Sequence, residues 1–462
     1  MTDTPWLGDT VSLVEAFRSG ERSPVEELEA TLDAIEASEL NAFVTVDPER
    51  ARAAAAKADV SLPLGGVPIG IKALTPVEGW ADTQCTTVFA DRVANFTATH
   101  VERLFDAGAV PVGQCNASEF GGLNVSVNKH YGVTHNPWES GRTAGGSSGG
   151  SASAVAGGLV TIATGGDGGG SIRIPAGFNG NVGLKGTAGR IPRGPHTDIH
   201  PLTVVNGCQA RSVRDVARWY DVSNGYDAYD PYSLPRIEGW EEHLGTYDLR
   251  GKRAVIAPDL GNAIVNPEVA RRVIEAGEAL ARDAGLTLVD IPVKLPGLGM
   301  EWALNNLCQL KRALGDLWPE CRDDLTLEIA FGLTVAEQQV NLDTLAASEE
   351  ARTHANETMA ALFDQVDFII CATNPDVAFA ADTYLNQHVD GRQVGPENNG
   401  ALTIPANIVG NPAISIPVEQ HQGLPVGMQI IGRHHEDALL LDLALIAERE
   451  RPWPLVAHGA PV

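Results

Sequence analysis

The chain has 462 residues, of which 44% are hydrophobic and 20% are charged, so it is long enough for one large core or two smaller ones. Its 59 acidic and 33 basic residues give a net charge of −26, and because phosphates would be repelled we expect no nucleic-acid partner. No run approaches the roughly 20 apolar residues that span a bilayer, so no membrane partner is expected either.

Residues 1–60 predict a helical extension that packs on the core. Ser23 is a suitable N-cap, and apolar residues at helical spacing follow it over 25–37. A second helix is expected to begin near Pro48 and to continue through the alanine-rich residues 51–58.

Residues 61–462 predict one α/β domain. Short apolar runs alternate with helical patterns, which is typical of a largely parallel sheet with helices on both faces. The predicted strands are 67–71, 109–112, 160–163, 254–257, 287–291, 368–371 and 428–431. The predicted helices include 98–107, 267–284, 299–313 and 437–448. Residues 225–250, rich in Tyr, Pro and Asp, predict an irregular connection.

Cysteine and histidine usage predicts neither a disulfide framework nor a metal site. The six cysteines are scattered, and the 12 histidines show no His-Glu-x-x-His spacing, so free thiols and no cofactor are expected. The start of the chain lacks a basic region followed by an apolar one. These features together predict a cytoplasmic protein.

Three segments stand out chemically, two of them in the glycine-dense residues 141–194. They are Gly-Gly-Val-Pro-Ile-Gly-Ile-Lys at 65–72, Gly-Gly-Ser-Ser-Gly-Gly-Ser at 145–151 and Gly-Gly-Asp-Gly-Gly-Gly-Ser-Ile-Arg-Ile-Pro at 165–175. Dense glycine inside a globular domain marks tight turns and backbone that comes close to a ligand or another chain segment.

Each segment alone has more than one interpretation. Lys72 ends an apolar run, so it is either a surface lysine with a buried stem or a desolvated amine that can act as a base. The segment around Ser147 could be a turn into a helix at 152–156, with Ser151 as its cap.

The glycines before Ser171 allow successive backbone N–H groups to converge on one point, as in an oxyanion or anion nest. A phosphate-binding loop is the competing interpretation, but the Gly-x-x-x-x-Gly-Lys-[Ser/Thr] pattern is absent. Two hydroxyls and one amine together supply a serine–lysine relay for acyl transfer, a known variant of the catalytic triad.

These motifs resemble those of the amidase signature family. The glycine–serine block at 145–151 and the Asp-x-Gly-Gly-Ser-Ile-Arg-x-Pro block at 167–175 carry the resemblance, together with the lysine motif that ends at Lys72. Supporting matches run almost to the C-terminus, and they are Asn116-x-x-Glu119-Phe120, residues 128–138, Lys185-x-Thr187-x-Gly189-Arg190, Asn407-x-x-Gly410-x-Pro412-Ala413, residues 423–427 and Ile431-Gly432. The resemblance implies that family's α/β fold, with a mixed, largely parallel central sheet.

The resemblance also implies roles. Ser171 would be the nucleophile, Ser147 a bridging serine after a cis peptide bond, and Lys72 the base. The oxyanion hole would be formed by the backbone N–H groups of Gly168, Gly169, Gly170 and Ser171. Lys72 must be neutral to accept a proton, so we expect it to be desolvated and to lack a carboxylate partner.

We expect Asp167 and Arg173 to hold the nucleophile loop rather than to act in the chemistry. Two positions depart from the family pattern, with Ala144 in place of a proline and Gly166 in place of a threonine. Neither change removes a catalytic group, although glycine gives the loop more backbone freedom.

The expected substrate is a small or aryl-substituted neutral amide, and a homodimer is compatible with these features. By analogy, the substrate pocket would be lined by Cys115, Asn116, Val125, Tyr131 and segments near 305–333 and 378–400.

Three alternatives remain at this point. The first is the glutaminase subunit of a tRNA-dependent amidotransferase, but the stretch 325–332 lacks the arginine that would bind the substrate carboxylate. The second is an α/β-hydrolase, since 145–149 matches Gly-x-Ser-x-Gly, but we predict no strand over 137–144 to carry that motif. The third is a binding protein that kept the fold. Loss of activity on changing a histidine would favour the second, and no labelling of Ser171 by a fluorophosphonate would favour the third.

Overall fold

Local capping signals position the first helices. In the computed structural model, which describes residues 4–199 and 202–460, Ser23 Oγ accepts a hydrogen bond from the Glu26 N–H. The Glu26 carboxylate in turn accepts from the Ser23 N–H, which completes a capping box. The helices are α1 Thr10–Ser19, α2 Pro24–Ala37, α3 Pro48–Ala55, α4 Thr99–Asp106, α5 Gly149–Ala156, α6 Arg173–Asn179, α7 Val213–Ser223, α8 Pro267–Ala284, α9 Gly299–Leu314, α10 Leu327–Gln339, α11 Leu342–Phe363, α12 Ile404–Val409 and α13 Asp437–Glu450.

The strands include longer ones that form the sheets and two-residue ones in local ribbons. They are β1 Phe43–Val46, β2 Pro68–Lys72, β3 Val110–Cys115, β4 Val127–Asn128, β5 Gly132–Val133, β6 His135–Asn136, β7 Glu139–Thr143, β8 Ile162–Asp167, β9 Gly183–Lys185, β10 Val205–Ala210, β11 Arg253–Ile256, β12 Thr287–Leu288, β13 Phe368–Ala372, β14 His388–Val389, β15 Arg392–Gln393, β16 Ala413–His421 and β17 Leu424–Gly432.

Two sheets carry the fold. The first has the strand order β1-β3-β2-β8-β10 and the second has the order β12-β11-β13-β17-β16-β9. An antiparallel bridge between Val182 and Ala210 joins their facing edges. The pairs β2–β3, β2–β8, β11–β12 and β11–β13 are parallel. The other neighbouring pairs in these two sheets are antiparallel.

Helices cover both faces of these sheets. Successive side chains of a strand point to opposite faces, and every residue of β2, β3, β13 and β17 is buried. Helix α5 packs on the first sheet, whereas α6, α8 and α13 pack on β16 and β17. The predicted α/β fold, with mixed sheets covered by helices on both faces, is confirmed. The predicted largely parallel pairing holds within β3-β2-β8 and β12-β11-β13, whereas the flanking pairs are antiparallel.

Most predicted elements are present, and the differences have local causes. The apolar run 287–291 forms a strand only at its first two residues, where β12 pairs with β11. Residues 225–250 contain neither a helix nor a strand, as predicted. Strand β1 lies inside the predicted extension and pairs with β3 at the sheet edge. The division of the chain near residue 60 stays a prediction.

The parallel part of the first sheet brings three strand ends together. Lys72 ends β2 beside Cys115 at the end of β3, and β8 ends at Asp167. Because the carboxyl ends of parallel strands meet at one edge, Lys72 lies at the same edge as the start of the loop that carries Ser171. Among the helices of residues 4–199 and 202–460, none is long and apolar enough to cross a membrane.

Helix α6 and strand β17 meet closely at a pair of glycines, and a substitution there tests how tightly the two elements pack. A Cβ at Gly427 of β17 would lie 2.7 Å from the Cα of Gly177 in α6. We expect Gly427→Ala to lower the free energy of unfolding by about 1–3 kcal/mol, because the added methyl overpacks this contact. The matched control is Gly297→Ala, since a Cβ there would meet nothing within 4 Å. Equal urea-unfolding midpoints for the two variants would contradict the account.

Candidate active site

Lys72 lies at the buried end of β2. It is 3% exposed, and its backbone N–H donates to Thr164 Oγ1 at 2.7 Å. The Nζ atom lies 2.7 Å from Ser147 Oγ and donates to the Gly166 carbonyl oxygen at 3.2 Å. Burial disfavours the charged amine and lowers the pKa of Lys72 to about 7, although Asp167 acts in the opposite direction.

The Lys72 amine therefore has the surroundings of a base. A neutral amine can donate one N–H to Gly166 O and accept the Ser147 hydroxyl proton on its lone pair. Within the described residues Lys72 forms no salt bridge. The Gly166 N–H donates to Ser148 Oγ, and the Ser148 hydroxyl donates to the Gly166 carbonyl oxygen, both at 3.3 Å. Both backbone polar groups of this glycine are therefore held.

Ser147 lies just before α5, which begins at Gly149 with Ser148 as its N-cap. Ser151 is inside the helix, so its predicted capping role is wrong. The peptide bond between Gly146 and Ser147 is cis. Ser126 Oγ donates to the Ser147 carbonyl oxygen at 3.3 Å and accepts from the Gly149 N–H at 2.9 Å, which holds the serine backbone.

The loop that carries Ser171 is organised by a buried ion pair. Asp167 and Arg173 are both 0% exposed, with Arg173 Nε 3.0 Å from Asp167 Oδ2. Asp167 also accepts from the N–H groups of Gly170 and Ile172, at 2.8 and 3.2 Å. Burial alone would raise the pKa of Asp167, but the charge and hydrogen bond of Arg173, together with the Asn407 hydrogen bond and the Lys185 charge, hold that pKa well below its usual range. The contacts agree with the predicted structural role of this pair.

Two side chains from distant segments hold carbonyl groups of the loop. Trp302 Nε1 in α9 donates to the Gly168 carbonyl oxygen at 2.7 Å, and Thr403 Oγ1 donates to the Gly169 carbonyl oxygen at 2.6 Å. Gly170 has a φ of +128°, which favours glycine. Fixing these carbonyls also fixes the direction of the neighbouring N–H groups.

The backbone N–H groups predicted to form the oxyanion hole differ in whether they already donate a hydrogen bond within the protein. Among the described residues, the backbone N–H groups of Gly168, Gly169 and Ser171 donate to no other group. The Gly170 N–H donates to Asp167, so we no longer count it among the donors that face a substrate.

The Ser171 backbone is joined to the segment around Ser147, since its carbonyl oxygen accepts from the Ser148 N–H at 3.3 Å. The Ser171 side-chain hydroxyl makes no hydrogen bond to the described residues, and the residue is 6% exposed. The structure thus contains the contact between Lys72 and Ser147. Among the described residues, Ser171 Oγ forms no hydrogen bond to Ser147 or to Lys72, so the predicted relay is formed only between Lys72 and Ser147.

The four residues predicted for the pocket have other surroundings. Cys115 is buried near Gly70 and Phe43, and Asn116 Oδ1 accepts from Asn128 Nδ2 at 2.9 Å. Val125 packs in a small apolar cluster, and Tyr131 OH lies 3.1 Å from Thr83 Oγ1. Within the described part of the chain, none of the four lines either of two cavities, one that reaches Gly169 and one that reaches Leu74 and Val204.

The two segments predicted to line the pocket do contribute residues to these cavities. The first cavity has about 300 Å³ and reaches Gly169, and it is lined in part by Leu385 and Asn399. The second has about 380 Å³ and is lined in part by Asn306 and Leu310. The two cavities therefore draw on both segments predicted near 305–333 and 378–400.

Three supporting residues were not predicted as site residues: Trp302, Thr403 and Asn407. Asn407 Nδ2 donates to Asp167 O at 3.0 Å and to Asp167 Oδ1 at 2.8 Å. Its place in the Asn-x-x-Gly motif at 407–410 was the available signal. Trp302 and Thr403 carried no motif, because their role depends on long-range packing.

The strand before Ser147 differs from the one that the α/β-hydrolase alternative requires. Our prediction of no strand over 137–144 is wrong, since β7 spans Glu139–Thr143. However, β7 is mostly exposed and pairs with β6 in a two-stranded ribbon, with a further bridge from Arg142 to Ala380. It is not the central strand that a nucleophile elbow requires.

Comparisons with known proteins agree with this geometry. The sequence profile of the Amidase family matches residues 26–441. An acylamidase of Rhodococcus erythropolis is 32% identical, covering 97% of this chain and 96% of that protein. A glutamyl-tRNA(Gln) amidotransferase subunit from Chloroflexus aggregans is 33% identical, covering 98% of each chain. The crystal structure of a bacterial aryl acylamidase superposes with a TM-score of 0.88 at 28% identity, covering 97% of both chains.

The fold and site define an amide-hydrolysing class of enzyme, and the chain belongs to the amidase signature family. The predicted family and its fold are confirmed. The relatives differ among themselves in activity, so family membership leaves the substrate to be inferred from this chain's own site.

The buried ion pair yields a stability prediction. We expect Asp167→Asn to lower the free energy of unfolding by about 3–5 kcal/mol, because it leaves the Arg173 charge buried without a carboxylate. The control is Asp248→Asn, which removes the exposed pair with Arg250 and should leave the urea midpoint unchanged. Similar midpoints for both variants would contradict a structural role for Asp167.

Proposed function

We propose that this protein hydrolyses a non-peptide linear amide to a carboxylic acid and an amine through a serine acyl-enzyme. Ser171 is the nucleophile, Ser147 the bridging serine and Lys72 the base. The observation that carries the proposal is the 2.7 Å contact between the buried Lys72 amine and Ser147 Oγ. A neutral amine can accept a proton there without help from a carboxylate.

In the first half-reaction, Ser171 Oγ forms a bond to the amide carbonyl carbon. Its proton passes to Ser147 Oγ while the Ser147 proton passes to Lys72 Nζ. The N–H groups of Gly169 and Ser171, with that of Gly168, stabilise the negative charge that develops on the carbonyl oxygen. The C–N bond then breaks, and the proton returns through Ser147 to the leaving nitrogen.

In the second half-reaction, water adds to the ester carbonyl carbon and gives its proton to the same relay. The bond between Ser171 Oγ and the acyl carbon breaks, the proton returns through Ser147 to Ser171 Oγ, and the acid leaves. Lys72 is neutral again at the end of the cycle. The scheme requires Ser171 Oγ, which forms no hydrogen bond to the described residues, to turn toward Ser147 and then toward the substrate.

A neutral amide is favoured over glutamine as the substrate. The stretch 325–332 has no arginine, and the cavity arginines already face carboxylates, Arg193 with Asp230 and Arg312 with Asp198. One relative belongs to an amidotransferase, so hydrolysis of L-glutamine is the outcome that would reassign the substrate. We further propose a cytoplasmic protein, alone or as a homodimer, that acts on a small molecule and not on a nucleic acid or membrane.

Substitution of the relay residues tests the mechanism. We expect Ser171→Ala to lower kcat by about 10⁴-fold or more, and Ser147→Ala or Lys72→Met by about 10²–10⁴-fold. Ser151→Ala is the control, since this buried serine lies only four residues after Ser147 and should change kcat less than threefold. Substantial hydrolysis by Ser171→Ala, or no labelling of wild-type Ser171 by a fluorophosphonate, would overturn the proposal.

The pH dependence gives a second test. Because burial lowers the pKa of Lys72 to about 7, its active neutral form is lost as the pH falls below that value. The expected profile of kcat/KM reaches a plateau above pH 8 and falls about tenfold per pH unit below pH 6. A profile that stays flat down to pH 5, or that rises only near pH 10, would contradict a neutral Lys72 base.

A further inference from the structure

A small polar chamber adjoins the cavity beside the loop that carries Ser171. The cavity, called here the apolar cavity, has about 300 Å³ and reaches Gly169. The chamber has about 20 Å³. Asn124 and Asn399 line both of them, so the two spaces lie side by side. A chain that enters the apolar cavity can therefore end in the chamber.

The walls of the two spaces differ in chemistry. Three asparagine side chains line the chamber, Asn124, Asn386 and Asn399, and we call it the asparagine chamber. Phe178 of α6 and Phe379 form another part of its wall, packed edge to face with ring centroids 5.9 Å apart. Most of the wall of the apolar cavity is instead formed by hydrophobic residues, which are Leu123, Met300, Trp302, Ala303, Leu385 and Ile404.

Each of the three asparagines has hydrogen-bonding groups that the described part of the chain does not use. Asn124 forms no hydrogen bond there, and its Nδ2 would lie 3.5 Å from a Cβ at Gly400, which lines the chamber. Asn386 Oδ1 accepts from the His388 N–H at 3.2 Å, which leaves its Nδ2 free. Asn399 Nδ2 donates to the Asn386 carbonyl oxygen at 3.0 Å, which leaves its Oδ1 free. The chamber thus offers both donors and acceptors.

The charges around the chamber favour a neutral occupant. Asp376 also lines it, but this carboxylate already accepts from Asn266 Nδ2 at 2.9 Å. It accepts as well from the N–H groups of Val377 and Asp390, at 2.9 and 3.0 Å. A cation would lose its water without gaining a free carboxylate, and an anion would be repelled by Asp376.

The volume of the chamber limits the size of its occupant. About 20 Å³ is room for one water-sized group, because a cavity needs about 10–15 Å³ to hold a water molecule. A hydroxyl or a carbonyl oxygen meets this limit. A methyl group has a similar size, but it would leave the asparagine groups without partners.

We infer that one arm of the substrate amide is an apolar chain that ends in a neutral hydrogen-bonding group, either a hydroxyl or a carbonyl oxygen. The chain lies in the apolar cavity and its tip bonds to the asparagine chamber. Asn124 determines this specificity, because it lines both spaces and its amide forms no hydrogen bond in the described part of the chain. The inference rests on the proposed function and adds the chemistry of one arm.

Amides that differ only at one tip provide the test. The pair for the acyl arm is N-methyl-6-hydroxyhexanamide and N-methylheptanamide, and the pair for the amine arm is N-(6-hydroxyhexyl)acetamide and N-heptylacetamide. Homologues with chains of about four to eight carbons match the tip to the depth of the chamber. On one arm, at the best chain length, the hydroxyl should raise kcat/KM about tenfold or more over the methyl group. No such preference on either arm, or a greater preference for an ammonium tip, would overturn the inference.

The Asn124→Leu variant tests whether the preference comes from the chamber. Leucine is similar in shape to asparagine and cannot form side-chain hydrogen bonds, so the ratio of kcat/KM for the hydroxyl tip to that for the methyl tip should fall about tenfold or more. Asn356→Leu, on the exposed surface of α11, is the matched control and should leave the ratio unchanged. A ratio that Asn124→Leu does not lower would contradict the inference.

A labelling experiment separates failure of this inference from failure of the proposed function. A fluorophosphonate forms a P–O bond to Ser171 as its P–F bond breaks, fluoride leaves and the hydroxyl proton passes to the relay, so no amide turnover is needed. The chain is attached to phosphorus through carbon, to mimic the acyl arm, or through oxygen, to mimic the amine arm.

With one of these attachments, a hydroxyl-tipped reagent should label the wild type faster than its methyl-tipped counterpart, and Asn124→Leu should remove the difference. Labelling of Ser171 at equal rates by both tips, for each attachment and chain length, would overturn only this inference. Amide hydrolysis by Ser171→Ala would overturn the proposed function itself.

Discussion

The exclusion of water from the Lys72 amine is the constraint on which the rest of the site depends. Strand β2 brings this side chain into the protein, where burial outweighs the attraction of Asp167 and favours the neutral form. Asp167 cannot approach as a partner, because its carboxylate is bonded to Arg173 and to loop N–H groups. The same ion pair thus shapes the Ser171 loop and keeps a full negative charge from forming a salt bridge with the base.

Much of the fold could be predicted, because the elements that matter have strong local signals. The buried strand β13 is a continuous apolar run, and α8 has a proline at its start and a glycine after its end. Strand β1 and the pairing of β9 with β16 were not predictable in this way, since they depend on neighbours distant in sequence. Our prediction of no strand before Ser147 was wrong because β7 is short, exposed and polar.

The residues of the site likewise divide into those that sequence motifs predict and those that only the folded structure reveals. The position of Lys72 beside Ser147 follows from motifs that resemble a known family, and the family itself is confirmed. The roles of Trp302 and Thr403 were hidden, because each reaches the glycine loop from a segment more than 130 residues away in sequence. The pocket residues predicted by analogy, such as Asn116, lie instead among backbone and side-chain contacts of the core. Catalytic groups recur with fixed spacing, whereas pocket linings depend on helix packing particular to the chain.

The central claim is that the folded protein holds the Lys72 amine neutral near pH 8. It is tested most directly by NMR titration of the protein labelled with ¹³C and ¹⁵N in lysine, with the Lys72 signal assigned from Lys72→Arg. This assignment matters because burial also lowers the pKa of Lys185 to about 7. The account predicts that the signal lost in Lys72→Arg titrates near pH 7. Titration of that signal near pH 10 would contradict it.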